Sequence, residues 1–326
     1  MKSAGTKSSS YKEPVTYDQA LSLLKEGEVV ALPTETVYGL AGRIDSQKTL
    51  EDIFHVKRRP FFDPLIVHCY DISQAKQYVE EIPFLAEKLW RKFSPGPLTL
   101  VLKKNSRVSP LITAHQDTVA LRIPRHPLMR QILRDLEIPL AAPSANMFGH
   151  VSPTRANHVL TSFQGKVPVV DGGICEEGLE STIAQPLGKQ LIILRKGSLS
   201  KEEIQNFLTA KNVSCTVSFK SNKFIPGGQK SHYAPSVPLY IVEYFSTGTT
   251  ERVLKERFPD RSIKYLCLNS KPELAARSLY HDLRKLSRDK KTIICVQKTP
   301  EKKGGLWDAI WDRLEKASTE ILSEIK

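Results

Sequence analysis

The chain lacks the features that would assign it to several specialised classes of protein. No apolar run approaches the roughly 18 to 20 residues that a bilayer-spanning helix needs. The five cysteines are scattered and none forms a C-x-x-C pair, which argues against a disulfide scaffold or a paired-cysteine zinc site. The first residues contain no apolar stretch typical of a secretory signal. We therefore expect a cytoplasmic protein with no membrane partner.

The sequence motifs of several common enzyme classes are also missing. The chain has no H-E-x-x-H zinc motif, no nucleophile elbow and no G-x-x-x-x-G-K-[ST] phosphate loop. These absences argue against a metalloprotease, a serine hydrolase and a P-loop enzyme.

Length and charge narrow the remaining classes. A chain of 326 residues exceeds what one hydrophobic core usually serves, so two domains are expected. The content of 40% hydrophobic and 25% charged residues is typical of a globular protein. A net charge of +13 favours a polyanionic partner such as a nucleotide or RNA, although a merely basic surface would give the same value.

The pattern of apolar residues predicts an α/β fold in the first two thirds of the chain. Residues 1–14 are polar and predict a flexible tail, and residues 15–220 predict a twisted mixed sheet with helices. The predicted helices of this domain cover about 18–27, 48–58, 73–91 and 127–136. Its predicted strands cover about 28–33, 65–69, 98–102, 118–123, 168–170 and 191–194.

A change in composition marks the boundary of a second domain. Residues 221–238 hold three prolines and two glycines without periodicity, which predicts a linker that could also act as a lid. Residues 239–326 alternate strands with helices, which predicts a small Rossmann-like parallel sheet. Its strands are expected over 239–244, 263–268 and 292–296, and its helices over about 250–258, 272–286 and 305–321.

Polar residues in the first domain follow the predicted strands. Thr34, Glu35 and Thr36 come after the first strand and could contact a small polar ligand or cap a helix. The run Lys57-Arg58-Arg59 could hold a triphosphate or be a solvated turn, and His68 could be a ligand-binding or a structural histidine.

The later strand ends carry a second group of polar residues. Arg122 lies in an otherwise apolar strand and needs an anionic partner, either an internal carboxylate or a ligand carboxylate. The small polar residues Ser144, Asn146 and Ser152 are compatible with phosphate binding, and Arg195 adds a cation at another strand end.

Taken together, these segments resemble the YrdC/Sua5 family of threonylcarbamoyl-AMP synthases in its two-domain Sua5 form. The resemblance covers residues 15–200 through the motifs P-T-E-T-V-Y-G-L, K-x-R-P, P-G-P-L-T-L, R-I-P, A-P-S-A-N, S-P-T, E-S-T and L-R-x-G. It continues through His232-Tyr-Ala-Pro235 and the second domain. The resemblance implies that L-threonine, bicarbonate and ATP give threonylcarbamoyl-AMP and diphosphate. It also implies that this product serves the formation of N6-threonylcarbamoyladenosine at position 37 of tRNA by a downstream transferase machinery.

The resemblance also implies the residues of the site. Those expected to bind threonine are Thr36, His68, Arg122, Ala142 and Ser181. Those expected to bind ATP are Arg59, Asp63, Thr118, Ser144, Ser152, Arg195 and Tyr233. Lys57 and Asn146 are expected on the phosphate side. Asp63 stands where asparagine is common in the family, and residues 228–231 depart from the usual linker sequence.

The chemistry of the implied reaction suits these residue types. Threonine's amine adds to bicarbonate, and the carbamate oxygen then attacks the α-phosphate, so no enzyme nucleophile is required. Catalysis would come from positioning and electrostatics, with Lys57 and Arg59 as the main contributors, because three anions must be held together. Mg²⁺ is expected to be held mostly by ATP, without a metal ligand set from the protein.

Two other functions fit part of the sequence. One is a non-catalytic protein of the same fold that binds double-stranded RNA or tRNA, which the net charge favours, although no recognised RNA-binding module is present. The other is the carbamoyl-transfer relative found within hydrogenase-maturation proteins. That relative carries acylphosphatase and zinc-finger segments, which this sequence lacks.

Overall fold

The computed structural model describes residues 10–220, 225–228, 232–243 and 247–323, which form two units, each built on its own sheet. The helices are α1 (Tyr17–Lys25), α2 (Gln47–Lys57), α3 (Ile72–Lys76), α4 (Phe84–Phe93), α5 (Pro110–Thr113), α6 (Pro127–Leu136), α7 (Ala156–Phe163), α8 (Lys201–Ala210), α9 (Thr247–Arg257), α10 (Pro272–Leu286) and α11 (Leu306–Ala317). The strands are β1 (Val30–Leu32), β2 (Gly39–Arg43), β3 (Ile66–His68), β4 (Leu98–Lys103), β5 (Thr118–Arg122), β6 (Leu140–Ala141), β7 (Thr182–Leu187), β8 (Gln190–Arg195), β9 (Thr216–Phe219), β10 (Leu239–Glu243), β11 (Ser262–Tyr265), β12 (Thr292–Lys298) and β13 (Glu320–Ser323).

The first unit is built on a mixed sheet in the order β1-β2-β6-β3-β5-β4-β7-β8-β9. The pairs β3/β5, β4/β7 and β8/β9 are parallel, and the other neighbours are antiparallel. Leu98, Leu100 and Leu102 of β4 are buried on one face, and Thr99 and Val101 on the other. Helices or loops therefore cover both faces of this strand, which explains why its sequence does not alternate. The structure confirms the predicted mixed sheet.

The second unit is a four-stranded sheet in the order β11-β12-β10-β13, in which every pair is parallel. Helix α10 begins with Pro272 in its first turn, where the missing N–H has no partner to lose, and buries an apolar stripe that includes Leu279 and Leu283. The predicted small parallel sheet is confirmed.

One long helix predicted from the sequence is in fact two. The predicted helix over 73–91 is divided into α3 and α4, which are separated by seven residues. Pro83 occupies the cap position of α4 in an extended conformation, and the residue before a proline disfavours helical backbone. Val79 instead bridges to Lys104 beside β4.

Two other predicted elements differ at the sheet edges. The predicted strand 168–170 makes only the isolated bridges Val169 to Ala31 and Val170 to Val15, because Pro168 has no N–H to extend a ladder. The predicted helix 305–321 ends at Ala317, and the residues after it pair with β10 as β13. The sequence analysis did not predict the following elements: β2, β6, β7, β9, α5, α7 and α8.

The two units share apolar contacts. Val37, Val151 and Leu179 of the first unit are buried in the same cluster as Tyr280 of α10 and Tyr233 of the linker, defined here as residues 221–238. The linker is therefore packed between the units over the part that the structure describes. None of the described helices combines the length and the apolar character required to cross a membrane.

Candidate active site

A small buried cavity lies at one edge of the nine-stranded sheet. Strands β3, β5 and β8 run in the same direction, and their carboxyl ends carry His68, Arg122 and Arg195 to the cavity wall. Ligands of α/β proteins commonly bind at such strand ends. The sequence-predicted residues that line the cavity are Thr36, Arg59, His68, Arg122, Ala142, Ser144, Ser181, Arg195 and Tyr233.

The turn after β1 and the end of β5 form one wall of the cavity. The Thr34 hydroxyl donates to the carbonyl of Val37 at 2.6 Å and lies 2.9 Å from the hydroxyl of Thr36, which fixes the turn. Arg122 Nη1 donates to Thr36 Oγ1 at 2.9 Å, and Arg122 Nη2 lies 2.8 Å from Glu35 Oε1. The sequence left the partner of Arg122 open, and the structure provides an internal carboxylate.

The pair of Arg122 and Glu35 is charged and still offers a donor. Burial raises the pKa of Glu35, but Arg122 opposes this effect and the pKa lies below its ordinary value. Although the two groups are at ion-pair distance, Nη2 and Oε1 are not aligned as a hydrogen bond, and neither has another partner among the described residues. Arg122 can therefore hydrogen-bond an incoming carboxylate.

His68 and Ala142 complete this wall. His68 is buried, and burial together with Arg122 lowers its pKa to about 3, so the ring is neutral at pH 7. Its Nδ1 has no hydrogen-bond partner within the described part of the chain. The N–H of Ala142 donates to the carbonyl of Ile66 at 3.0 Å, which fixes the backbone at this point. The methyl group of Ala142 adds a small apolar surface to the cavity wall.

Ser181 and Arg195 form the opposite wall. The Ser181 hydroxyl lies 2.7 Å from that of Thr99 and accepts a hydrogen bond from Arg195 Nη2 at 3.1 Å. Arg195 Nε and Nη2 also donate to the Ser181 carbonyl, and Nη1 donates to the carbonyl of Pro226 at 2.9 Å. Arg195 therefore fastens the linker to the cavity.

Arg59 enters the cavity paired with a carboxylate. Its Nη2 lies 2.9 Å from Asp63 Oδ1, and Nε and Nη2 donate to the backbone carbonyls of Asp63 and Pro64. Burial raises the pKa of Asp63 above its ordinary value, because it outweighs the opposing effect of the Arg59 charge. Neither carboxylate oxygen of Asp63 has a hydrogen bond from any residue that the structure describes. Asp63 itself does not line the cavity.

Lys57 stands apart from the expectation that it lies beside phosphates. It is buried, does not line the cavity, and donates through Nζ to the backbone carbonyls of Ser144 and Asn146. Burial lowers the pKa of Lys57 well below its usual range. Its contacts are those of a side chain that holds the loop after β6 in place.

Three other predicted residues lie outside the cavity lining. Thr118 begins β5, opposite Lys103, and shares a sheet face with Arg122 because side chains alternate along a strand. The Ser152 hydroxyl donates to Glu180 Oε1 at 2.7 Å. Asn146 donates to the carbonyls of Met147 and His150, which shapes the same loop.

Glu180 is a cavity residue to which the sequence analysis gave no role. It accepts hydrogen bonds from Ser152, from the Tyr280 hydroxyl and from Arg313 Nε at 2.7 Å. Burial raises its pKa, but Arg313 and Arg195 lower it to about 2. Its position in the E-S-T motif was the available signal, but its partners come from α10 and α11 and are distant in sequence.

The linker closes the cavity. Tyr233 is buried at φ +66°, a rare backbone conformation for a bulky residue, with its ring 6.0 Å from that of Tyr280 and Arg313 4.8 Å above it. A side chain at Gly227 would collide with the Tyr233 hydroxyl, so this close approach requires glycine. The remaining space is about 50 Å³, enough for a few water molecules but not for a nucleotide.

The described residues contain no group of three or more histidine, cysteine, aspartate or glutamate side chains that could hold a metal ion. The charged groups of the cavity wall are instead three arginines, Arg59, Arg122 and Arg195, and one carboxylate, Glu180. Such a wall can hold anions and stabilise negative charge.

Comparisons with known proteins agree over both units. The family Sua5_yciO_yrdC, described as "Telomere recombination", matches residues 22–197, and the family described as "Threonylcarbamoyl-AMP synthase, C-terminal domain" matches residues 199–319. The threonylcarbamoyl-AMP synthase of Bacillus subtilis is 37% identical over 324 residues and 92% of each chain. That of Pyrococcus abyssi is 36% identical over 92% of this chain and 93% of the relative. The crystal structure of P. abyssi Sua5 complexed with L-threonine matches with a TM-score of 0.83 and 32% identity, over 96% of this chain and 98% of that chain.

Proposed function

Because this chain belongs to the Sua5/YciO/YrdC family and carries the C-terminal domain of threonylcarbamoyl-AMP synthases, we propose that its buried cavity makes threonylcarbamoyl-AMP. The substrates are L-threonine and ATP, and we propose bicarbonate as the third. The convergence of three buried arginines on one cavity is the observation that carries this proposal. The overall reaction is a nucleotidyl transfer.

The reaction needs two bond-forming steps. The amine nitrogen of threonine bonds to the carbon of bicarbonate, and water and a proton leave, which gives a carbamate. A carbamate oxygen then bonds to the α-phosphorus of ATP, and the bond to diphosphate breaks. Both steps bring anions together, so a cavity that neutralises and orients them lowers the barrier without a covalent enzyme intermediate.

We assign threonine to the wall of Arg122, Thr36 and His68. Arg122 would bind the threonine carboxylate through the donor that Glu35 does not align with, and Thr36 would hold the guanidinium in place. Neutral His68 would accept a hydrogen bond through its unpartnered Nδ1 and would be too weak a base to remove a proton at pH 7. Ser181 and Ala142 would bound the same pocket.

We assign the phosphates of ATP to Arg59, Ser144 and Arg195, with Lys57 holding the backbone of the Ser144 loop. Arg59 and Arg195 are now engaged by Asp63 and Pro226, so ATP would have to replace at least one of these contacts. Thr118 and Ser152 remain proposed contacts. Mg²⁺ would enter with the phosphates, which supply oxygen ligands that this metal prefers.

We also propose that the linker opens to admit ATP and closes again over the product. The space of about 50 Å³ left beside Tyr233 is far smaller than ligand pockets, which measure about 300–1,000 Å³. A closed linker would exclude water from the mixed anhydride and slow its hydrolysis. We propose that the chain is divided into a tail (1–14), a catalytic domain (15–220), the linker (221–238) and a C-terminal domain (239–326).

Several wider assignments follow from the same function. The product would pass to a transferase that modifies adenosine 37 of tRNA, tRNA itself would be a transient partner, and the site of action would be the cytoplasm.

Mass-spectrometric detection of threonylcarbamoyl-AMP from purified protein with threonine, bicarbonate and ATP tests the function. Product is expected only when all three are present, with diphosphate released in equal amount. A non-catalytic RNA-binding protein of the same fold would release no diphosphate under these conditions, and that result would overturn the proposal.

A further inference from the structure

A second, larger groove lies between α7 of the first unit and α10 of the second. Its volume is about 580 Å³, which is within the usual size range of ligand sites. It is bounded on one side by Ala234, Pro235 and Ser236, the linker residues that directly follow Tyr233. The cavity and the groove therefore border consecutive parts of the linker.

Among the residues that the structure describes, those lining the groove include no carboxylate and five cations, which are Arg155, Arg284, Lys285, Arg288 and Lys290. Over the described part of the chain, none of these five forms an ion pair. Burial alone lowers the pKa of Arg284, to about 10, which also indicates that no carboxylate offsets its charge. Arg284 is half-buried, and a charge that is partly withdrawn from water is normally paired, so the absence of a carboxylate partner among the described residues points to a ligand that supplies the negative charge.

A third groove, which lies beside α11 of the second unit, provides a contrast. It is lined by Lys196 and Lys298 together with Asp308, Glu243 and Glu315. Lys298 pairs with both glutamates, and Lys196 lies 3.5 Å from Asp308. The positive charge of that groove is largely neutralised from within the chain.

The deepest cations of the basic groove have donors that remain unused. The guanidinium of Arg284 is fixed by hydrogen bonds to the Ser162 hydroxyl and the Val151 carbonyl, but its Nε is buried without a partner among the described residues. Arg155 Nε is also buried without a hydrogen-bond partner among the described residues. A fixed guanidinium with a free buried N–H suits an oxygen-rich anion.

Two histidines add neutral nitrogen atoms to the same wall. The rings of His158 and His281 are stacked with centroids 5.6 Å apart, and burial lowers the pKa of each. His158 Nδ1 accepts from the Thr154 N–H and His158 Nε2 lies 3.4 Å from His281 Nδ1, so the remaining nitrogen, His281 Nε2, can donate to an anion without adding charge.

We propose that this groove binds phosphate groups, from either the phosphodiester backbone of an RNA or a free polyphosphate. Arg155 and Arg284 would bind the deepest phosphate, and exposed Lys285, Arg288 and Lys290 would neutralise its neighbours. The site is separate from the cavity, so it does not depend on the proposed catalytic function.

The triple variant K285A/R288A/K290A tests the proposal, because it removes three exposed cations and leaves the half-buried Arg155 and Arg284 in place. The matched control is K76A/K88A/K92A, which removes the same charge from exposed positions of α3 and α4. Fluorescein-labelled unfractionated tRNA is titrated by anisotropy at several salt concentrations, and pyrophosphate is titrated by calorimetry. Threonylcarbamoyl-AMP synthesis is measured in parallel.

If the ligand is RNA, the groove variant should bind tRNA at least tenfold more weakly, with a shallower dependence of affinity on salt, and the control should stay within twofold. If the ligand is a free polyphosphate, the parent chain should bind pyrophosphate at two sites, the cavity and the groove, and the groove variant at one. The KM values for ATP and threonine should be unchanged in both cases. The proposal is overturned if the groove variant binds both probes as the parent does, if the parent binds neither outside the cavity, or if the control loses as much affinity.

Discussion

The three arginines of the cavity differ in the partners to which their guanidinium groups are already bound. Arg122 is paired with Glu35 but keeps a donor without an aligned acceptor, Arg59 is paired with Asp63, and Arg195 donates mainly to backbone carbonyls. Substituting any of them by alanine would also leave a buried group without its partner. Conservative changes therefore test their roles more cleanly than truncation does.

Arg122→Lys should raise the KM for threonine at least tenfold, which corresponds to about 1.4 kcal/mol of lost binding, and should leave the KM for ATP within threefold. Lysine keeps the charge that balances Glu35 but lacks the fork that bonds a carboxylate and Thr36 together. Steady-state kinetics with each substrate varied in turn measures both values. An equal rise in the KM for ATP would contradict the assignment of Arg122 to threonine.

Asp63→Asn should tighten ATP binding by about three- to tenfold, or 0.6–1.4 kcal/mol. The change keeps the shape of the side chain, removes a buried negative charge next to the proposed phosphate site, and releases Arg59 from its ion pair. Calorimetric titration with a non-hydrolysable ATP analogue measures the affinity. Asp45→Asn is the matched control, because Asp45 forms an exposed ion pair with Arg43. The affinity of this control variant for the ATP analogue should equal that of the parent. Weaker binding in Asp63→Asn would show that the carboxylate contributes to the nucleotide site.

At the scale of elements, the linker is the segment whose position decides access to the cavity. Its described parts are held by Arg195 at Pro226, by Lys316 at Gly227, and by the packing of Tyr233 between Tyr280 and Arg313. Ala234 N–H also donates to the Gly149 carbonyl, and Ser236 Oγ donates to the Ser287 carbonyl. Such single contacts can be broken and re-formed more readily than a sheet ladder can. This arrangement suits a segment that moves during each turnover.

Tyr233→Ala should raise the KM for ATP at least tenfold and lower the yield of intact product, because the ring that covers the site is removed. Tyr233→Phe should stay within threefold of the parent, since the hydroxyl has no partner in the part of the chain described. The readouts are kinetics and the ratio of threonylcarbamoyl-AMP to its hydrolysis products. If Tyr233→Ala only lowers the melting temperature and leaves the KM for ATP unchanged, the ring packs the two units together and does not close over ATP.

At the scale of the whole molecule, Glu180 connects the cavity to the second unit. Its carboxylate lies in the first unit and lines the cavity, while Tyr280 and Arg313 reach it from α10 and α11. The second unit therefore supplies side chains that lie directly behind the cavity wall.

Glu180→Gln should lower the free energy of unfolding at pH 7 by about 3 kcal/mol, because Arg313 loses its buried carboxylate partner. The folded pKa of Glu180, about 2, lies below its ordinary value of 4.5, so its ionised form stabilises the fold above pH 4.5. This contribution is lost as the pH falls from 4.5 towards 2, and the difference between parent and variant should shrink over that range. Denaturant unfolding as a function of pH measures it.

The control for this prediction is Glu315→Gln, which removes an exposed glutamate that pairs with Lys298 on the same unit. Exposed ion pairs contribute about 0–1 kcal/mol, so its unfolding free energy should change little. A constant difference between Glu180→Gln and the parent from pH 7 to pH 2 would mean that the charge of Glu180 does not stabilise the fold.

The amino-acid sequence was sufficient for the features that depend on local patterns and short motifs. Apolar periodicity and proline positions predicted the mixed sheet, the parallel second sheet and most long helices, because these signals act over neighbouring residues. Short strands such as β6, which has two residues, carry no periodicity to detect, and their pairing depends on neighbours far along the chain. The motifs at strand ends pointed to the residues that line the cavity.

The partners of those residues were decided only by the tertiary structure. Arg122 pairs with Glu35, which is 87 residues away in the sequence, and Glu180 pairs with Arg313, which is 133 residues away. Lys57 donates to the carbonyl of Ser144, which is 87 residues away. No spacing rule predicts such contacts, because burial selects partners by distance in space and by the cost of an unpaired charge. The same holds for the basic groove, whose cations come from two units and whose lack of carboxylates becomes visible only when both are folded together.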